Sequence, residues 1–182
     1  MQLKNDSQRY GAVAQLFHWG IVALIITQFF LAYKAAGLSP IKKVPVLELH
    51  KSIGMTIFGL AILRLIWRWF NPVPSIPTGP RWQQLAAHIS HWALYALILI
   101  TPVIGWLMSS ARSFTVSWFR LITLPDLVEP SKPAYNFYHE THEILAFTLL
   151  IVALIHAAAA LKHHFFDRDN VLRRMLPLKL KP

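Results

Sequence analysis

Three stretches of this chain run long enough without a charged side chain to cross a lipid bilayer as helices. Gly11–Tyr33 spans 23 residues, Trp82–Ala111 spans 30 and Ile144–Leu161 spans 18. A hydrocarbon core of about 30 Å needs roughly 20 apolar residues at about 1.5 Å each. Lipid offers the backbone no hydrogen bonds, so such stretches cross as helices or not at all. Composition agrees: 55% of residues are hydrophobic and only 14% charged, against about a quarter charged in a soluble domain. With no cysteine, a disulfide scaffold, a zinc–thiolate site and an iron–sulfur protein are all excluded. The net charge of +10 suits lipid headgroups beside apolar runs, and no nucleic-acid partner is expected.

The fold class expected is an all-α integral membrane four-helix bundle, up-down-up-down, with both termini cytoplasmic. It forms a single membrane domain over 1–182, with spans at 11–33, 50–70, 84–109 and 138–163 and a cytoplasmic tail at 167–182. The first stretch is too long for a signal-peptide core and has no small-residue cleavage site behind it, so it is expected to be retained. The second span holds only 12 uncharged residues, Ser52–Leu63. It crosses if Arg64 and Arg68 snorkel to one membrane face, with Trp67 and Trp69 in the interfacial belt. Four prolines and a glycine make Asn71–Pro80 a loop. Pro102 and Gly105 predict a kink in the third span. Arg112–Pro133 is a polar connection with Trp118 and Phe119 at the interface. On this topology the side of the termini collects eleven basic residues: Lys4, Arg9, Arg64, Arg68, Arg81, Lys162, Arg168, Arg173, Arg174, Lys179 and Lys181. The other side has seven: Lys34, Lys42, Lys43, Lys51, Arg112, Arg120 and Lys132. The positive-inside rule sets the orientation from that difference.

Most of the nine histidines fall in or at the mouths of these spans. A single buried imidazole can be satisfied by a backbone carbonyl; the set as a whole has a geometry. His142 and His156, 14 residues apart on the fourth helix, are separated by about 21 Å and differ in direction by only about 40°. His18 enters the first helix at the depth of His156, and His50 opens the second at the depth of His142. Two pairs at two depths, each from two helices, match bis-histidine ligation of two haems b. His139 is the competing ligand, but 17 residues rotate it about 100° away from His156. Gly54 shares a face with His50 and leaves room either for a macrocycle or for helix packing. Zinc or copper would want its ligands in one cluster. A proton relay would not require depths matched in pairs.

These residues lie within motifs that resemble the bacterial cytochrome b561 family. They are Leu16-Phe17-His18-Trp19, Leu49-His50-Lys51-Ser52-Ile53-Gly54, Arg64-x-x-x-Arg68 and Ala87-His88-Ile89-Ser90-His91. The run continues through His142-Glu143-x-Leu145-Ala146, then Leu154-Ile155-His156 to Lys162-His163-His164-Phe165, and Asp169-Asn170-x-Leu172-x-Arg174-Met175. The resemblance implies a dihaem inner-membrane cytochrome that exchanges electrons with the quinone pool, with His18 paired to His156 and His50 to His142. Some members are superoxide oxidases, passing an electron from periplasmic superoxide to ubiquinone. Lys51, beside a ligand, is then the candidate for steering superoxide. His88, His91, His163 and His164 are candidates for a quinone site. Arg64 and Arg68 face either haem propionates or lipid phosphate. A protein partner is not required on this reading. The alternative is a membrane-anchor cytochrome that relays electrons for a partner dehydrogenase or hydrogenase; a purely structural membrane protein without haem is the third reading.

Overall fold

The computed structural model describes residues 2–75 and 80–177. Four long helices dominate it: α1 Ala12–Ala36, α2 Pro40–Phe70, α3 Arg81–Ser110 and α4 Lys132–Phe165. All four are long and apolar enough to span a membrane, and α4 is the most apolar. The bundle is thus a four-helix transmembrane one. Three helices begin before the expected spans, α3 by three residues, α4 by six and α2 by ten. Ser39 precedes Pro40 at the start of α2, and Ser131 accepts from the Ala134 N–H at the start of α4, which has a proline in its first turn. Ser–Pro starts preset the first helical dihedral and need no N–H there. The added turns extend beyond the apolar run, where Lys42 and Lys132 are exposed and Lys43 is half-buried. α3 continues as helix through Pro102. The described part of the Asn71–Pro80 segment is non-helical, as its prolines require; residues 76–79 of that loop lie outside the described residues.

The helices pack in sequence: α1 along α2, α2 against α3, and α3 along α4. Ile21, Leu31, Ile53, Ile57, Ala61, Ile98 and Leu149 form the buried cluster at the centre. Of α4 only Leu149 is buried. That helix therefore stands against α3 and holds off from α1 and α2, and its separation sets the geometry of everything below.

The two ends of the bundle are closed differently. At the end opposite the termini, the α3–α4 connection folds into a two-stranded hairpin, β1 Ser117–Trp118 with β2 Ile122–Thr123. Its turn forces Phe119 and Arg120 to φ of 47° and 60°, a left-handed conformation that costs a side-chain-bearing residue about 1 kcal/mol or more. Ser52, 3% exposed in α2, holds that turn. Its hydroxyl accepts from the Phe119 N–H at 3.0 Å and lies 3.0 Å from the Ser117 carbonyl. Trp118 Nε1 donates to Thr56 Oγ1 and Arg120 pairs with Glu48. The polar connection Arg112–Pro133 is thus a lid fastened to α2.

At the other end the segment after α4 is a strap rather than a free tail. It turns at Asp167–Asn170 and places a short 3-10 helix, Arg173–Met175, across the start of α1. Buried Gln15 donates to the carbonyls of Tyr10 and Arg174, Trp19 Nε1 to that of Met175, and Arg174 to that of Ser75. The Lys162 ammonium and His163 fasten the turn through Asp167 and Asp169. The Lys162 hydrogen bond holds the Asp167 carboxyl below its ordinary value. Residues 178–182 of the expected tail, with Lys179 and Lys181, lie outside the described residues. Replacing Gln15→Leu removes two donors worth about 0.5–1.5 kcal/mol each. Hydrogen exchange is expected to quicken several-fold over residues 170–176 while the helices stay protected; unchanged exchange there contradicts the strap.

Candidate functional site

Four imidazoles from three helices meet two by two across the gap that α4 leaves. At the end of the termini the ring centres of His18 (α1) and His156 (α4) are 6.4 Å apart, with planes at 67°. At the hairpin end those of His50 (α2) and His142 (α4) are 6.3 Å apart, at 70°. An imidazole nitrogen lies about 1.1 Å from its ring centre, and a metal–imidazole bond is about 2.0–2.1 Å long. Two imidazoles on opposite faces of one metal ion therefore have ring centres about 6.3 Å apart. Both couples have that spacing, so the residues present fit a haem iron held between each.

The four rings are supported unequally. His142 Nδ1 donates to the Thr101 carbonyl at 3.1 Å, which fixes its tautomer and leaves Nε2 as the basic nitrogen. The Nδ1 atoms of His18 and His50 are buried without a partner. His91 of α3 adds a third ring at the end of the termini, 5.3 Å from His156, too close for a metal to sit between them. His139 turns elsewhere, with its ring against Tyr135 and Nδ1 3.9 Å from Glu143 Oε2. The structure brings His142, not His139, to His50.

This geometry has known company. The family model described as prokaryotic cytochrome b561 matches residues 9–178. The chain belongs to the prokaryotic cytochrome b561 family. It is 33% identical over 181 residues to "Cytochrome b561 homolog 2" of Escherichia coli (strain K12), covering 97% of this chain and 95% of that protein. It is 29% identical over 174 residues to "Probable superoxide oxidase CybB" of Yersinia pestis, covering 94% and 98%. To "Cytochrome b561 homolog 1" of E. coli it is 30% identical over 173 residues, covering 93% and 97%. Membership of the cytochrome b561 family carries haem b binding and electron transport with it. With four spans, it makes the protein a multi-pass resident of the bacterial inner membrane.

The remaining candidate residues of this cytochrome b561 separate into two groups. At the end of the termini, Arg64 and Arg68 stack over the Tyr95 ring at 5.4 and 5.9 Å. Arg64 is close enough to act electrostatically on both His18 and His156. Beside them opens a cleft of about 440 Å³ lined by Tyr10, Arg68, Gln84, His88, His91 and Tyr95 among others. His88 Nδ1 donates to the Gln84 carbonyl. Burial pushes the Tyr10 phenol up from its ordinary value, so it is a neutral hydroxyl donor at pH 7. His163 and His164 do not line this cleft: His163 is held by Asp167 and Asp169, and the His164 ring lies against Phe165. At the hairpin end, Lys51 Nζ lies over the Phe114 ring at 5.5 Å and Arg112 over the same ring at 5.7 Å. Two cations thus share one aromatic platform, a convergence invisible in their 61-residue separation.

Gln28 escaped notice in the sequence, although an amide within an apolar span is itself a signal. It donates to the His50 carbonyl at 2.9 Å. It also fills the space beside Gly54: a Cβ there would lie 3.0 Å from Gln28 Nε2. Of the two readings of Gly54, room for a macrocycle or close helix packing, this contact favours packing between α1 and α2. Ser52, two residues from both His50 and Gly54 on α2, carries the hairpin. Ser52→Ala orphans the Phe119 N–H and should cost about 1–3 kcal/mol locally, read as faster hydrogen exchange at residues 117–123 with the helices unaffected. Equal protection in the variant contradicts the role given to Ser52.

Proposed function

We propose that the protein is a dihaem b electron carrier that takes electrons from superoxide at the hairpin end and delivers them to ubiquinone at the end of the termini. The observation that carries this reading is the pair of imidazole couples, each at the spacing of a bis-histidine iron, at two depths of one bundle. His18 with His156 and His50 with His142 hold the two haems, which supply one-electron couples. The excess of basic residues on the side of the termini orients that end to the cytoplasm.

Lys51 and Arg112, paired over Phe114, present positive charge where a small anion approaches, an attraction that salt weakens. The relative called a probable superoxide oxidase supports superoxide as that anion. Two superoxide ions each lose one electron and leave as dioxygen. The two electrons and two cytoplasmic protons convert one quinone to quinol.

The cleft beside His91 suits a quinone head group. Arg68 and the Tyr10 hydroxyl donate hydrogen bonds to carbonyl oxygens. His88 and His91 hold protons near the ring, and Tyr95 and Trp92 flank it with apolar surface. Arg64 and Arg68 lie near the His18 couple and offer the negative propionates a partner.

Purified protein is expected to contain two haems b per chain by pyridine haemochrome assay, both low-spin. His18→Ala and His50→Ala should each lower the count to one; a variant that keeps both overturns the pairing. Mixing the purified protein with superoxide and oxidised ubiquinone, without any partner protein, is expected to yield quinol. Lys51→Gln should slow that turnover several-fold at low salt and less at high salt. No turnover in the unpartnered protein contradicts the enzyme reading and leaves a relay subunit.

A further inference from the structure

The couple at the hairpin end is clamped in a way that the other couple is not. The backbone of His50 and the ring of His142 are reached by polar groups from two different helices, each contact lying beside a glycine. On one side Gln28 of α1 donates Nε2 to the His50 carbonyl at 2.9 Å, across the face of Gly54. A methyl group on residue 54 would stand 3.0 Å from that nitrogen, tighter than ordinary van der Waals contact. On the other side His142 Nδ1 donates to the Thr101 carbonyl of α3 at 3.1 Å, and the ring lies across Gly105. A Cβ on residue 105 would meet His142 Cε1 at 3.0 Å and Nδ1 at 3.1 Å. At the opposite end His18 Nδ1 is buried without a partner, as is His50 Nδ1 here; the difference between the couples lies in the His50 backbone and the His142 ring.

The orientation of the Gln28 amide follows from its partner. A buried carbonyl such as that of His50 accepts only from a donor, so the amide nitrogen must face it. That leaves Gln28 Oε1 buried and unpaired, a cost the chain bears to make the contact. An imidazole N–H bonded to a carbonyl makes the ring's other nitrogen a stronger donor to a metal, which favours the oxidised ion and lowers its reduction potential.

We propose that Gln28 and the Thr101 carbonyl are the positioning groups of the His50–His142 couple, with Gly54 and Gly105 serving as the notches through which they reach it. Gln28 fixes the turn of α2 that bears His50 against α1. Thr101 fixes the plane and the donor strength of His142. The arrangement is specific to the hairpin end, so the haem there is held in one orientation and at a lower potential than an unclamped couple would give. The inference rests on the ligation reading above, and its test separates the two.

The experiment is a potentiometric titration of the haem-loaded protein in detergent, followed by optical and low-temperature EPR spectra, after a pyridine haemochrome count. Gly105→Ala pushes the His142 ring off the Thr101 carbonyl and is expected to raise the midpoint potential of one haem only. Gln28→Leu and Gly54→Ala should alter the low-spin EPR g-values of that same haem, alike in kind, and leave the other unchanged. Gly59→Ala, where a methyl group meets nothing within 4 Å, should leave both at wild-type values. His50→Ala identifies which signal belongs to the hairpin end. Wild-type potentials and g-values in Gly105→Ala and Gln28→Leu, with both haems bound, overturn the clamp while the ligation reading stands. So do shifts of both haems together, which mark general loosening. Should Gly105→Ala fail to assemble, Gln28→Leu alone decides. A wild-type protein with fewer than two haems overturns the ligation reading itself, and the clamp with it.

Discussion

An imidazole inside a bilayer has two ring nitrogens and no water to satisfy them, and this constraint organises the whole bundle. Four such rings lie on three helices, and hydrogen bonds within the chain meet only part of their demand. What completes them is spacing. α4 packs along α3 and keeps its distance from α1 and α2, so its histidines face those of the other helices across a gap of one metal's width. A helix of such apolarity gains little by packing against its neighbours within lipid, where tails are as apolar as leucine. Its separation therefore costs the fold little, and it leaves room that a cofactor can fill.

Closure at the two ends follows from the same need to keep water and ligands under control. The hairpin spends backbone strain at Phe119 and Arg120 to reach Ser52, two residues beyond His50 on α2. The strap after α4 brings the carbonyls of Arg174 and Met175 to Gln15 and Trp19, which bracket His18. Each lid thus attaches beside a histidine. One end gathers Lys51 and Arg112, the other Arg64, Arg68, His88 and His91 around a cleft. That difference is what the proposed transfer from an anion to a quinone ring would use.

Much of this was legible in the residue order. Charge-free length marked three of the four spans, snorkelling Arg64 and Arg68 with Trp67 and Trp69 marked the second, and helical arithmetic between His142 and His156 set which histidines could share a face. Those signals survive because they depend on one helix at a time. The additional turns of α2 and α4 were hidden because charge marks where lipid ends, not where a helix ends. The hairpin was hidden because its turn has no glycine to announce a left-handed residue; contacts to Ser52 and Glu48 hold it instead. Gly54 was read for the absence of a side chain, while its use depends on Gln28, 26 residues away on another helix. His91 near His156, and Lys51 with Arg112 around Phe114, are likewise products of packing between helices.

The central claim is that each imidazole couple grips one iron. The most direct measurement is a structure of the purified, haem-loaded protein at a resolution that places the metals. One iron is expected between the Nε2 atoms of His18 and His156 and a second between those of His50 and His142. An iron bound instead through His91 or His139, or a couple closed on itself with no metal between its rings, would contradict it.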